Sequence, residues 1–231
     1  MLLSSTFRKM ADSKGNPKSF SNRRRAKRFQ MFEALVSRLP RPIQILDVGG
    51  ENSFWEKRGW AGIDDVQITL LNLFVQKKRS ANITPIVGDA TNLSEFADRS
   101  FDIVFSNSVI EHLFTFENQV RMAAEVRRVG KCFWVQTPNF WFPIEPHFLI
   151  PGWQWMPLSA RVGLLRRWRC GWHGPCSDRD RASQLIREVR LMTAMELRSL
   201  FPTAKLIPER FGGMVKSWTV VDGFPACMNV S

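Results

Sequence analysis

Apolar runs of strand length recur along the first 136 residues, and each is followed by glycine or by polar residues. Strands that are buried on both faces have continuous apolar sequences, and parallel sheets covered by helices contain such strands. A helical pattern over residues 116–129 separates the last two runs. This alternation predicts an α/β fold built on a doubly wound, mostly parallel sheet. The runs are residues 43–48, 66–71, 83–87, 102–106 and 132–136.

The amino-terminal region divides into an arm and a helix. Residues 1–20 contain Ser, Lys, Gly and Pro without periodicity, which predicts a mobile basic arm. The domain itself is expected to span residues 21–231. Its first helix is predicted to begin near Asn22 and to end before Pro40, because proline cannot continue a helix.

The amino-acid composition changes after the fifth apolar run. Residues 138–190 are rich in proline and tryptophan and then in arginine, so they predict an aromatic, Arg-rich insert with one helix over 181–190. Thr193 and Glu196 have the spacing of a capping box and predict the start of another helix. Residues 204–221 then predict a strand–turn–strand hairpin around two glycines.

The net charge of +12 is concentrated in two segments. Residues 1–31 carry +8 and residues 161–190 carry +5, while the rest of the chain is close to neutral. Such patches attract phosphate, anionic lipid or acidic substrates, although solvated surface charge is an equally simple interpretation. A membrane surface is therefore a possible partner for the basic, aromatic insert. The sequence does not indicate an oligomeric state.

The cysteines and the hydropathy pattern favour a cytoplasmic protein. No apolar run reaches the ~18 residues of a membrane helix. Four unevenly spaced cysteines indicate free thiols in a reducing compartment. Cys170, His173 and Cys176 lie close together, but tetrahedral zinc needs a fourth ligand, so no metal site is predicted.

Glycine and polar residues follow the predicted strands at the positions where α/β sheets bind ligands. In an open parallel sheet the ligand lies beyond the carboxyl ends of the strands. Glycine at such a position allows close approach to the backbone. The candidate binding residues are Asp47, Gly49, Gly50, Asn72, Asp89, Ala90, Ser106 and Asn107.

The motifs ILDVGG, VGDATNL and FDIVFSNSVIEHL, with Asn72 at a strand tip and the terminal hairpin, resemble the class I S-adenosylmethionine-dependent methyltransferases. The sequence is most similar to the bacterial methyltransferases of the type 11 group, over about residues 43–221. The resemblance implies a Rossmann-like sheet of seven strands whose last strand is antiparallel. It also implies S-adenosylmethionine as the cofactor.

The resemblance implies contacts to the methionine end of the cofactor from two strand ends. Asp47 would orient the amino group, and Gly49 with Gly50 would let the backbone pass close to it. Ser106 and Asn107 would line the pocket near the same end.

The adenosine end would be bound by the next two strand ends. Asn72 would hydrogen bond the ribose, Asp89 would accept from the adenine amino group, and the backbone of Ala90 would contact the ring. The family usually has further glycines where this chain has Glu51 and Ser53, and an acid where it has Asn72.

His147 is the predicted catalytic residue. Methyl transfer to oxygen usually needs a base, and His147 has Glu145 as its neighbour in a segment where this family often covers the substrate. A structural role in a proline-rich turn is the alternative for His147. For His112, in the IEHL motif, a packing or hydrogen-bonding role is predicted.

The predicted activity is methyl transfer to a small-molecule, glycan or amphipathic acceptor, with the insert at 138–190 as a lid. A nucleic-acid methyltransferase is possible but not favoured, because the sequence contains no recognised RNA-binding module and no base-methylation motif. A third possibility is a binding scaffold that has kept the fold and lost the activity, which the altered glycine loop suggests.

Overall fold

A seven-stranded sheet forms the centre of the computed structural model, which describes residues 20–225. The strands are β1 Ile43–Val48, β2 Val66–Asn72, β3 Ile83–Val87, β4 Phe101–Asn107, β5 Gly130–Pro138, β6 Lys205–Phe211 and β7 Met214–Asp222. Their order is β3-β2-β1-β4-β5-β7-β6. β1 to β5 pair in parallel, and β7 runs antiparallel to β5 and β6. The predicted fold class and its closing hairpin are confirmed.

Helices cover both faces of this sheet. They are α1 Phe20–Val36, α2 Asn52–Glu56, α3 Phe116–Val129, α4 Leu158–Arg167, α5 Arg179–Arg187 and α6 Ala194–Leu200. The arm predicted at 1–20 lies outside the described residues except for Phe20, which begins α1. Two 3-10 turns, Ile110–His112 and Trp153–Trp155, complete the regular elements.

The core has one apolar layer on each side of the sheet. Phe32 of α1 and Trp55 of α2 are fully buried against one face. Met122 of α3 and Leu197 of α6 are fully buried against the other. Burial on both faces explains the continuous apolar strand sequences. Truncating a ring such as Phe32 to alanine is expected to cost about 3–5 kcal/mol.

The insert between β5 and α6 has a small core of its own. Phe148 stacks on Trp153 with ring centroids 4.4 Å apart, and Leu165 of α4 and Ile186 of α5 are buried beside them. α5 begins and ends a few residues before the predicted helix at 181–190. The capping box of α6 is confirmed, since Thr193 and Glu196 exchange side chain–backbone hydrogen bonds.

Part of the amino-terminal basic run is built into the fold. Arg28 forms an ion pair with Glu209 of β6 at 3.5 Å, and Arg24 donates to the backbone oxygen of Arg210 at 3.0 Å. These contacts join α1 to the closing hairpin. None of the described helices is both long and apolar enough to cross a membrane. The cytoplasmic location stays a prediction.

Candidate functional site

The carboxyl ends of β1, β2 and β4 bring the predicted binding residues together. Asp47 lies in register with Leu70 of β2 and Phe105 of β4, and Val48 lies in register with Ser106. Because these strands are parallel, their polar ends share one edge of the sheet.

The turn after β1 requires both of its glycines. Gly49 has a φ of 75°, and a Cβ at this position would lie 2.5 Å from a methyl carbon of Val109. A Cβ at Gly50 would lie 1.9 Å from Oδ2 of Asp47. The Asp47 carboxylate therefore packs directly against the backbone of the turn, which leaves room for no side chain.

Asp47 is buried and has an unusual proton affinity. Its Oδ2 accepts from the indole Nε1 of Trp55 at 2.7 Å. Burial raises the pKa of Asp47 to about 8, although the Trp55 hydrogen bond and the charge of Arg58 act to lower it. Sequence reasoning missed Trp55, whose contact with Asp47 depends on how α2 packs.

Asn72 and Gln76 hold the glycine turn from the second strand. Asn72 donates to the backbone oxygen of Gly50 at 3.3 Å, and Gln76 donates to the same oxygen at 2.7 Å. The side-chain oxygen of Asn72 accepts from the backbone of Leu73. The structure thus gives Asn72 a positioning contact, and its ribose contact stays a prediction.

The third strand end places Asp89 at the surface and Ala90 in the interior. Oδ1 of Asp89 accepts from the backbone nitrogen of Thr91 at 2.8 Å and from its hydroxyl at 2.9 Å, which fixes the turn. This geometry is compatible with the predicted adenine contacts of both residues, which remain predictions.

Ser106 and Asn107 end the fourth strand differently. Oγ of Ser106 is buried and has no hydrogen-bond partner among the described residues. With its amide nitrogen turned toward Asn107, Gln136 of β5 donates to Oδ1 of Asn107 at 2.9 Å and to Oγ of Ser108 at 3.0 Å. A buried hydroxyl without a hydrogen-bond partner lowers the stability of the fold, and a ligand group at this strand end would provide that hydrogen bond.

A basic pocket opens beside Asn107. Its walls combine arginines from α1 and from the loop after α2 with aromatic rings: Arg25, Arg28, Arg58, Phe29, Phe32, Phe54, Phe105 and Trp134. Burial and the charges of Arg25 and Arg28 together lower the pKa of Arg58 to about 10. Arginines that repel one another in a partly buried pocket favour an anionic ligand group.

A chain of side chains links the insert to the turn after β4. Glu145 is 2% exposed and accepts from the backbone nitrogens of His147 at 2.9 Å and Phe148 at 2.7 Å. Its Oε1 also contacts Nδ1 of His147 at 2.5 Å. Nε2 of His147 lies 3.1 Å from Nε2 of His112. The two histidines, separate in the sequence, therefore form one cluster.

Glu111 is a third member of this cluster that sequence reasoning missed. It is fully buried, and its Oε2 accepts from the hydroxyl of Thr137 at 2.9 Å. Oε1 of Glu111 has no hydrogen-bond partner among the described residues. Burial raises the pKa of this carboxyl, while the charge of His147 acts to lower it. The only sequence signal was its place beside His112.

The turn at residues 170–173 supports the backbone of His147. Gly171 has a φ of 57°, and a Cβ there would lie 2.5 Å from the backbone oxygen of His147. Trp172 donates from its backbone to the same oxygen at 3.3 Å and from its indole to the oxygen of Pro146 at 3.1 Å. Within residues 20–225, Cys170 and Cys176 join no group of three metal-ligand atoms.

The insert packs on the edge of the sheet that carries the strand ends. The backbone nitrogen of Arg190 donates to the backbone oxygen of Glu111 at 2.7 Å, and Gln119 of α3 donates to the oxygen of Arg190 at 2.9 Å. This placement is the one expected of a substrate-covering segment, and it keeps His147 beside the strand ends.

Comparisons with known sequences identify a conserved domain over part of the chain. Residues 60–132 match the family described as Methyltransferase domain. Two uncharacterised proteins of Mycobacterium tuberculosis, from strains CDC 1551 and H37Rv, are each 38% identical to this chain over 66 residues. That stretch is 29% of this chain, and the chain spans 22% of the length of these relatives.

Solved structures share the fold over most of the chain. A SAM-dependent methyltransferase of Methanosarcina mazei has a TM-score of 0.51 and 14% identity, covering 81% of this chain and 94% of that one. One from Aquifex aeolicus has a TM-score of 0.51 and 12% identity, covering 94% and 96%. The CurJ carbon methyltransferase has a TM-score of 0.56 and 12% identity, covering 94% and 57%. At these identities the likeness shows the fold.

Proposed function

We propose that this chain is a class I S-adenosylmethionine-dependent methyltransferase and that it methylates a hydroxyl oxygen of a small-molecule or glycan acceptor. The match of residues 60–132 to a methyltransferase domain and the shared fold support this class, whose cofactor is S-adenosylmethionine. The acceptor chemistry is our inference. It rests on one observation, the pairing of His147 with the buried carboxylate of Glu145 beside the strand ends.

The residues at the strand ends fit the cofactor. The turn at Gly49 and Gly50 has no room for a Cβ, and Gly49 is exposed, so a ligand can approach the backbone at Gly49. Ser106 offers a buried hydroxyl without a partner, and Asp47 offers a carboxylate for an amino group. When bound, S-adenosylmethionine supplies a methyl group already activated by the positive sulfur.

Catalysis then depends on orientation and on removal of one proton. Because the methyl donor is already activated, holding the acceptor oxygen in line with it provides much of the rate. Nε2 of His147 would accept the proton of the acceptor hydroxyl, which leaves that oxygen as the nucleophile for the methyl group that the cofactor would supply. Glu145 holds Nδ1 of the ring, which orients the base and stabilises its protonated form.

The surface around His147 favours an acceptor with an apolar part. Trp172, whose backbone nitrogen contacts the oxygen of His147, is 44% exposed. Elsewhere in the insert, Trp141 and Trp155 are 63% and 47% exposed, with ring centroids 6.4 Å apart. Exposed indoles at a site commonly pack against apolar or sugar surfaces of a ligand. We therefore include amphipathic acceptors in the proposal.

The arginines beside Asn107 add a positive potential near the expected methionine end of the cofactor. Arg25, Arg28 and Arg58 line a narrow pocket there, with room for about one water-sized group. Their charge would attract an acidic group of a ligand at the strand ends without enclosing it. A nucleic-acid acceptor is less favoured, because Arg24 and Arg28 already contact the closing hairpin.

The first test measures cofactor binding and then methyl transfer. Calorimetric titration with S-adenosylmethionine and S-adenosylhomocysteine is expected to give micromolar affinity. Labelled methyl transfer is then measured on a panel of glycans, phenols and lipid-linked alcohols. Absence of binding at millimolar ligand would overturn the proposal and leave the non-enzymatic scaffold as the better account.

Variants of the base test the acceptor chemistry. His147→Gln and Glu145→Gln are each expected to lower turnover by about 10²–10⁴-fold while cofactor affinity stays within about twofold. Glu117→Gln, an exposed substitution in the first turn of α3, is the matched control for Glu145. Unchanged turnover in both site variants would contradict a base role for His147.

A further inference from the structure

Three ligand atoms of the site converge on one point. Glu111, His112 and His147 each offer one donor atom, and these atoms all lie within 4.8 Å of one another. We propose that they form a binding site for a divalent transition-metal cation such as Zn²⁺, Mn²⁺ or Co²⁺. The inference departs from the sequence-based expectation that the chain has no metal site.

The Nε2 atoms of the two imidazole rings face each other. Glu145 contacts Nδ1 of His147, so the carboxylate orients that ring and leaves its Nε2 on the opposite side. Nε2 of His147 lies 3.1 Å from Nε2 of His112. When both rings carry their proton on Nδ1, both Nε2 atoms are acceptors, and a cation between them would bind both.

The spacing of the nitrogens matches shared coordination. Imidazole nitrogens bind zinc at about 2.0–2.1 Å, so two such ligands lie about 3.0 Å apart in octahedral geometry and about 3.4 Å apart in tetrahedral geometry. The observed 3.1 Å between the Nε2 atoms of His112 and His147 lies between these values.

Glu111 provides an independent observation. Its side chain is fully buried, and Oε1 has no hydrogen-bond partner among the described residues. A buried carboxylate oxygen without a partner carries a large desolvation cost, which a bound cation removes. Thr137 holds the other oxygen, so Oε1 is the oxygen left without a partner in a carboxylate that lies within ligand distance of both histidines.

The surrounding contacts are those of a preorganised metal site. Metal-binding histidines usually donate their second ring nitrogen to a carboxylate or carbonyl group, and Nδ1 of His147 contacts the Glu145 carboxylate in this way. Two histidines and one carboxylate leave coordination positions open, which is typical of catalytic rather than structural sites.

The role of the cation rests on the proposed function, although its binding does not. An acceptor hydroxyl in an open position would bind the cation through oxygen, and the cation would lower the pKa of that hydroxyl. Its proton then leaves to solvent, because Nε2 of His147 is a ligand in this form and cannot also be the base. The acceptor oxygen would thus lose its proton to His147 when the metal is absent, and to solvent when the hydroxyl is bound to the metal.

Direct binding of Co²⁺ tests the site without any need for activity. The full chain is treated with chelator, and Co²⁺ is added while the visible absorption is recorded. We expect one equivalent to bind with a d–d absorption band, and Zn²⁺ to displace it. Binding is expected to weaken by at least about 100-fold in His112→Gln, whose side chain is at the surface, and in Glu111→Gln.

Two controls keep the assignment specific. Cys176→Ser and Glu117→Gln are expected to leave Co²⁺ affinity unchanged. A cobalt signal that disappears in Cys176→Ser but survives in His112→Gln would overturn the proposal, and so would the absence of binding at millimolar Co²⁺, Zn²⁺ and Mn²⁺.

The outcomes for the metal and for the methyl transfer are distinguishable. Stoichiometric Co²⁺ binding in a protein that methylates no hydroxyl acceptor would support the metal site and contradict the proposed function. Methyl transfer by a protein that binds none of the three cations would overturn the metal site and leave His147 as the base.

Discussion

The pH dependence of cofactor affinity tests the environment of Asp47. Burial raises the pKa of this carboxyl to about 8, while the hydrogen bond from Trp55 limits the rise. An amino group of the cofactor pairs with the ionised carboxylate, so affinity follows the ionised fraction of Asp47. We therefore expect affinity to increase with pH over the range in which most enzymes are assayed.

The size of the effect follows from the pKa. With a pKa of about 8, the ionised fraction rises from about 1% at about pH 6 to about 50% at about pH 8. Affinity is therefore expected to rise about 50-fold, or about 2.3 kcal/mol. The same raised pKa has the opposite effect on folding. Since the folded state holds the proton more tightly than the unfolded chain, the free energy of unfolding without ligand falls as pH rises from about 4 through 8.

Calorimetric titration with S-adenosylhomocysteine at about pH 6, 7 and 8 measures the increase of affinity with pH. Asp47→Asn is expected to reduce this increase, and Asp64→Asn, at an exposed position, is expected to retain it. Titration of the ligand itself is common to both variants, so the difference between their curves isolates Asp47. Trp55→Phe is expected to move the rise to higher pH. Equal affinity at pH 6 and pH 8 in the unmodified chain would refute the reasoning.

Three further substitutions have defined outcomes. Asp89→Ala is expected to weaken cofactor binding about 10- to 100-fold by calorimetry, because hydrogen bonds to charged groups contribute about 1.5–3 kcal/mol, and unchanged affinity would refute the adenine contact. Gly171→Ala would push a Cβ against the oxygen of His147, so turnover is expected to fall more than tenfold, whereas Gly174→Ala, whose Cβ would meet no atom within 4 Å, keeps turnover unchanged. Arg28→Met removes the 3.5 Å ion pair to Glu209, which keeps only its 3.9 Å contact with Lys216, and is expected to lower the free energy of unfolding by about 1–3 kcal/mol in urea titrations, with the exposed Lys27→Met as the control.

The sheet was predictable because its strands are buried on both faces. Ile45 and Leu46 of β1 point to opposite faces and are both fully buried. Buried strands of this kind are visible in the sequence as short apolar runs. The closing hairpin was predictable from its two glycines. α4 was not predicted, because Val162 and Leu165 are its buried positions and arginines surround them in the sequence.

The site was predictable only where residues that interact lie close together in the sequence. Glu145 and His147 are two residues apart, and their pairing needs only the turn between them. The contact of Trp55 with Asp47 depends on the packing of α2 under the sheet edge. The missing partner of Glu111 can be recognised only once the three-dimensional positions of Thr137 and the histidines are known.

Hydrogen bonds hold both ends of the insert, so we expect the predicted lid over residues 138–190 to be a fixed cover of the site. At its start, the backbone nitrogen of Phe140 donates to the oxygen of Met192 at 3.0 Å. At its end, Arg190 bonds through its backbone to Glu111, and its guanidinium contacts Gln119 at 2.7 Å. Swinging the insert open as a rigid body would break these contacts together and would carry the support of His147 away from His112. We therefore expect the insert to keep the cluster around His147 in one geometry while the acceptor binds.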